Sequence, residues 1–474
     1  MAKPFPDHPN LTGGYAPIQM ECDAPDLIIQ GEIPGELSGS LYRVGPNPQF
    51  APRDNYHWFA GDGMLHGFQI DSGRVAYKNR WVRTTNWKME NEAGESLFCP
   101  MNPMKNDPRV ADVRTNGTAN TNIIWHGGKL LALVESHPPF EINPETLESI
   151  GPWTFDEKLT GPMTAHPKID PENGEMLFFA YNADRQASKL MAFHVADSEG
   201  TLLRSEFFEA PYPAMVHDFI TTRDHVIFPI MPLTGSLERA MSGGPFYAWD
   251  PTKLNYIGIM PRNGSVTEIR WFEGDPAYVF HPMNAYSDKD KIICDVCQYE
   301  EAPLFPHADG SAPDKDKSRA RLTRWTFDLG DNTNTYRTER LDETVSEFPR
   351  LDERRTGLAY RHGYFACSVN GGASGNRYNG VGHIDHQKNS VKTFEMEENF
   401  AVSEPVFVAR SPESPEGEGF LLTPVYDASV DKSFLMILDA ENIEKGPLAK
   451  AMLDHRVPFG FHGNWLPSAA GANQ

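Results

Sequence analysis

The sequence predicts an all-β fold, a closed β-propeller, from three observations. Short apolar runs recur along the chain, tight polar or glycine-bearing turns split them into pairs, and helical periodicity is scarce. In chain order the paired runs are NIIW-HGGK-LLALVE (122–135), KID-PENG-EMLFFAY (168–181), FITT-RDH-VIFPIM (219–231), AY-SDKD-KIICDV (285–296) and LAY-RHG-YFACSV (358–369). Each reads as two strands joined by a tight turn. GSLERAM (235–241) is the one stretch that reads as a turn or two of helix. SPESPEGEG (411–419) and HADGSAPDKDKS (307–318) read as solvated loops. A propeller suits such repetition because it buries a large core and leaves only short sheet edges. No fixed-period motif is present, so the number of blades does not follow from the residues. With no composition shift to mark a linker, the expectation is a single domain over 1–474.

The composition of the 474 residues is globular: 39% hydrophobic, 23% charged, with 39 glycines and 39 prolines. A formal net charge of −22 repels phosphates, so nucleic acid is not an expected partner. The opening MAKPFPDHPNLTGGY lacks the apolar segment of a secretory signal, and no apolar run is long enough to span a membrane. Five scattered cysteines, Cys22, Cys99, Cys294, Cys297 and Cys367, fit a reducing cytoplasm. Cys294 and Cys297 form a lone CxxC inside an apolar run, where a structural role outweighs zinc.

Sixteen histidines are present, and by type alone a histidine is more often a surface or hydrogen-bonded core residue than a ligand. Four stand out by context: His166 in TAHPKID, His217 in MVHDFI, His281 in VFHPMNAY and His462 in GFHGNW. Each sits beside an apolar run, which places it at a strand end where inner propeller strands converge. Their wide separation matches no local metal motif and suits ligands delivered one per blade.

Longer stretches carry a more specific signal: GEIPGELSGSLYRVGPNPQF, FAGDGMLHGFQI, TANTNIIWHGGKLLAL, MTAHPKIDPENGEML, VHDFITT, RLTRWTFDL, EFPRLDERRTG, SEPVFVARSPESPEGEGFLL and FHGNW. In these the chain resembles the carotenoid cleavage oxygenase family, within it the bacterial stilbene-cleaving branch. The resemblance implies a seven-bladed propeller, with short helices and loops capping an axial site. One Fe(II) per chain would be held there by His166, His217, His281 and His462. It also implies that Glu135, Glu347 and Glu404 stand behind the ligands, fixing imidazole tautomers and balancing the metal's charge. For Glu347 the residues alone favour a surface ion pair with its charged neighbours.

The reaction so implied is cleavage of a conjugated double bond by dioxygen to two carbonyl products, with no further acid or base required. The substrate would be a small apolar aryl alkene of the stilbene or phenylpropene kind; an apocarotenoid polyene is the alternative. Phe59 and Phe305 match aromatic tunnel positions of the stilbene branch. Two positions depart from it. Where that branch has a Tyr and a Lys gripping a phenolic hydroxyl, this chain has Met101 and Val134, which cannot do so. A family-type isomerase remains a competitor. So does a non-catalytic binding propeller, which has no use for four histidines. Oligomeric state is not written in the sequence.

Overall fold

The computed structural model describes residues 3–372 and 377–468. Strands dominate, and the two α-helices among the described residues are Thr85–Ala93 and Leu237–Met241. The chain divides into two compact units, one within Met1–Lys158, Gly371–Val381 and Thr393–Gln474, the other within Leu159–Asn370 and Gly382–Lys392.

In the first unit, five strands run in the order Cys22–Ala24, Arg74–Trp81, Gly63–Asp71, Gly39–Pro46 and Gly463–Pro467. Strand Arg74–Trp81 shows why the order holds: Val75, Tyr77, Asn79 and Trp81 all point inward at the period of two expected of a half-buried strand. A second sheet centres on Gly419–Asp427 and Lys432–Asp439. Leu41, Phe68, Phe420, Leu422, Leu435 and Ile437 from the two sheets share one core cluster. The NIIW-HGGK-LLAL pair forms strands Asn122–His126 and Lys129–Leu133. Gly127 and Gly128 between them have φ of 57° and 71°, the left-handed pair that a two-residue hairpin turn requires.

The second unit holds the meander Lys168–Ile169, Met176–Ala180, Leu190–Ala196 and Leu202–Glu209. A further four-stranded sheet begins with Ile220–Thr221 and His225–Ile230. Phe179, Phe193, Phe219 and Phe228 pack between these two sheets. The longest sheet starts at Tyr278–Asp288, Lys291–Tyr299, Arg321–Asp328, Arg337–Leu351 and His362–Ser368.

Two local expectations need correction. LAY (358–360) is not a strand; the partner of His362–Ser368 is Arg337–Leu351, with Leu351 opposite Gly363. Asn284 holds the intervening segment instead: its Nδ2 donates to Arg355 O and Leu358 O at 3.0 Å each, and its Oδ1 accepts from Gly357 N at 2.9 Å. The helix Thr85–Ala93 was not legible as a helix, because the residues it buries are Asn86 and Glu90 rather than an apolar stripe. Its cues are the Thr84 hydroxyl, which caps Trp87 N, and Gly94 in the left-handed conformation at its end. GSLERAM does form Leu237–Met241, capped by Ser236.

Cys294 and Cys297 are buried in Lys291–Tyr299. Three residues apart on a strand, they face opposite sides of the sheet and cannot share a metal. Burial pushes both thiols well above their ordinary pKa. No helix among the described residues is long and apolar enough to cross a membrane.

Candidate metal centre

The histidines sit where strands begin or lose their register. In the second unit His166 lies two residues before strand Lys168–Ile169, and His217 lies three before Ile220–Thr221. Contrary to the strand-end expectation, His281 is inside Tyr278–Asp288, where the pairing with Lys291–Tyr299 slips between Val279 and Pro282. Such a bulge re-aims a side chain without ending the strand. All three are buried.

They converge through one nitrogen each. His166 Nε2 is 2.9 Å from His217 Nε2, which is 3.1 Å from His281 Nε2. Behind His281, Glu347 places Oε2 2.5 Å from Nδ1. A carboxylate only accepts, so this Nδ1 carries the proton and the His281 Nε2 lone pair faces inward. Glu347 is itself fixed: Tyr299 OH donates to Oε1 at 3.0 Å and Phe348 N to Oε2 at 2.6 Å. It stands at a bulge, where the register with His362–Ser368 slips between Glu347 and Arg350. The surface ion pair that the residues alone suggested is thereby overturned; Glu347 is only 2% exposed. The Phe348 ring stacks on the His281 imidazole at 5.4 Å.

His462 belongs to the first unit and has the same kind of support. Its Nδ1 lies 2.9 Å from Glu404 Oε1, and Gly463 N donates to Glu404 Oε2 at 2.9 Å. The backbone on either side is pinned, His462 N to Thr121 O and Val44 N to His462 O. Again the proton sits on Nδ1 and Nε2 keeps its lone pair.

Crowded imidazole lone pairs repel unless a cation lies between them. Ligands about 2.1 Å from a metal and at right angles to one another stand about 3.0 Å apart, the spacing of the Nε2 atoms in the second unit. His166, His217, His281 and His462 form the group able to hold a metal ion among the described residues. An all-imidazole set suits iron among other transition metals and leaves its charge to be balanced from behind, as Glu347 and Glu404 are placed to do.

One carboxylate here was not singled out in the sequence. Asp218, next to His217 and 5% exposed, points Oδ2 at His166 Nδ1 from 3.8 Å, and Lys168 Nζ pairs with its Oδ1 at 2.8 Å. Burial pushes the Asp218 carboxyl up, and Lys168 opposes the shift. An Asp after a His has no pattern of its own, and the Lys168 contact is tertiary, so only the fold reveals the pair.

The remaining candidates are Glu135, Phe59, Phe305, Val134 and Met101. Glu135 is half-buried just past strand Lys129–Leu133. Phe59 packs edge-on against Phe461, the neighbour of His462, with ring centroids 5.4 Å apart. Phe305 is 4% exposed and meets Tyr247 edge-on. Val134 presses on Gly117, where an added Cβ would sit 2.9 Å from its Cγ1. Met101 lines a cleft together with Phe50, Tyr56, Phe98 and the buried carboxyls Asp62 and Glu90; Val134 does not line it. Burial, and the neighbouring Glu90, push Asp62 up to about 7.

The family model described as retinal pigment epithelial membrane protein matches residues 15–467. The chain belongs to the carotenoid cleavage oxygenase family. It is 37% identical over 477 residues to an isoeugenol monooxygenase of Pseudomonas nitroreducens, covering 98% of this chain and all of that one. It is also 37% identical over 489 residues to lignostilbene-α,β-dioxygenase isozyme III of Sphingomonas paucimobilis, covering 98% and 99%. The crystal structure of Pseudomonas brassicacearum lignostilbene dioxygenase superposes with a TM-score of 0.95 at 33% identity, covering 98% of this chain and all of that one. The all-β fold with few helices is thus the propeller fold of the carotenoid cleavage oxygenases, and the four-histidine group fits their single non-haem iron(II). Within this family the chain is an oxidoreductase, an iron-dependent oxygenase of the alkene-cleaving dioxygenase type.

Proposed function

We propose that this oxygenase cleaves the side-chain double bond of a stilbene- or phenylpropene-like aryl alkene. One oxygen atom of O2 goes to each carbon, so that R–CH=CH–R′ and O2 give two aldehydes with no other reactant. The observation that carries the reading is the set of inward Nε2 atoms, with a carboxylate behind His281, in a chain 37% identical to enzymes named for isoeugenol and lignostilbene. His166, His217, His281 and His462 are the ligands. Glu347 and Glu404 hold two of them, and Glu135 serves as a further outer carboxylate on the strength of the family match. Iron(II), when bound, supplies the dioxygen activation that organic side chains cannot. Phe59 and Phe305 are aromatic where the stilbene branch lines its tunnel, and Met101 and Val134 stand where that branch has Tyr and Lys, which favours a substrate with an apolar far end. That apolar end also supports the second reading, a polyene aldehyde as substrate. We read residues 1–474 as one working domain and its compartment as the cytoplasm. The uninterrupted family match over residues 15–467 supports the first, and five free cysteines support the second.

The test uses iron-loaded protein with ¹⁸O2, isoeugenol, 4-methoxystilbene and an apocarotenal in parallel, with products reduced to alcohols at the quench to stop exchange with water. One ¹⁸O atom is expected in each product of an aryl alkene, and none with apoprotein. Label in only one product would make the reaction a monooxygenation, and faster cleavage of the apocarotenal than of either aryl alkene would move the substrate to the second reading.

A further inference from the structure

We propose that Asp218, clamped by Lys168, is the positioning residue for the His166 imidazole, the counterpart of Glu347 behind His281 and Glu404 behind His462. The inference rests on the iron-centre reading and adds to it a carboxylate that the family resemblance does not supply.

His166 points Nε2 at His217, so Nδ1 is its outer nitrogen, as it is in His281 and His462. The carboxylate oxygen facing that nitrogen is Asp218 Oδ2, 3.8 Å away. This is beyond a direct hydrogen bond and within reach of one after a small shift of either group. Asp218 is 5% exposed, and a carboxylate so buried persists only where other groups hold it. Its holders are in place: Lys168 Nζ reaches Oδ1 at 2.8 Å and Oδ2 at 3.1 Å, and Phe219 N donates to Oδ1 at 2.6 Å. Lys168 comes from the segment that carries His166, two residues on, and its ammonium lies 5.8 Å over the Phe219 ring. Two consecutive residues thus do different work: His217 faces the other imidazoles, while Asp218 turns back toward the outer edge of His166. Lys168 and Asp218 thus tie the His166 segment to the His217 segment.

The experiment titrates Co(II) into metal-free protein and follows the visible d–d bands, which report ligand geometry whatever the rate of turnover. Asp218→Asn is expected to weaken Co(II) binding about tenfold, near the lower end for an outer-shell partner, and to shift the bands. Lys168→Gln removes the clamp at a more accessible position and should move both readouts in the same direction, which covers the event that Asp218→Asn does not fold. Unchanged affinity and bands in either folded variant would overturn the positioning role. His217→Ala separates the two layers. If it binds Co(II) as the native protein does, the metal-centre reading falls and takes this inference with it. If it loses Co(II) while Asp218→Asn does not, the inference alone falls.

Discussion

Buried carboxylates occur in two settings in this molecule. Glu347 and Glu404 each face an imidazole Nδ1, and their oxygens also accept from Tyr299 OH and from the backbone N–H groups of Phe348 and Gly463. Asp62 and Glu90 face each other's charge instead. Gln49 N donates to Asp62, and Leu97 N and Phe98 N donate to Glu90, yet burial and mutual repulsion still raise Asp62 and burial raises Glu90. Depth of burial is similar, 2% and 5% exposed in the first set against 8% and 6% in the second. What separates them is the partner. An imidazole N–H turns a buried charge into a device for aiming a ring, whereas a second carboxyl makes it a group that prefers to keep its proton.

The largest expected effect tests that difference directly. Glu347→Gln and Glu404→Gln should each cost about 10–100-fold in iron affinity or turnover, while Glu90→Gln keeps its iron. Iron content after gel filtration and kcat/KM decide it; equal losses from all three would erase the distinction between the two settings.

A smaller effect concerns the cleft that Met101 shares with Asp62 and Glu90. Burying an unpaired phenol against Met101 costs about 1–3 kcal/mol, so a 4-methoxystilbene should match or exceed its 4-hydroxy counterpart in kcat/KM. The variant Met101→Tyr should swing preference toward the phenol. A native preference for the phenol of tenfold or more, about 1.4 kcal/mol, would mean that a polar group of the cleft takes the hydroxyl, Asp62 or Glu90 being the candidates.

The smallest effect is on stability. Asp62 and Glu90 bind protons more tightly folded than unfolded. Their contribution is therefore fully present below the unfolded Asp value of about 3.9 and is lost as pH rises through the folded value of about 7. Asp62→Asn should flatten the decline in Tm between about pH 5 and about pH 8. Parallel Tm curves for the two proteins would show that the pair does not titrate in that window.

The hairpins were legible because their turns are chemically explicit. Gly127 and Gly128 supply two left-handed residues in succession, which few sequences do by accident. Segment 358–360 was misread because its fate is set by Asn284, a residue far away in sequence that captures its backbone. Polar burial also hid the helix Thr85–Ala93, since Glu90 serves loop amides rather than a solvent face. The four histidines could be picked out by their apolar flanks, but their convergence depends on register slips such as the one at His281, which no periodicity announces. Asp218 needed the fold outright.

Strand Gly463–Pro467 lies beside Gly39–Pro46, with Gly463 opposite Arg43, so one sheet joins two stretches far apart in the chain. His462 immediately precedes this pairing and is aimed by it. On the ribosome, then, His462 emerges after His166, His217 and His281, and until it does a nascent chain can offer at most three of the four imidazoles. A chain cut short before His462 would lack both the seam and the ligand it orients.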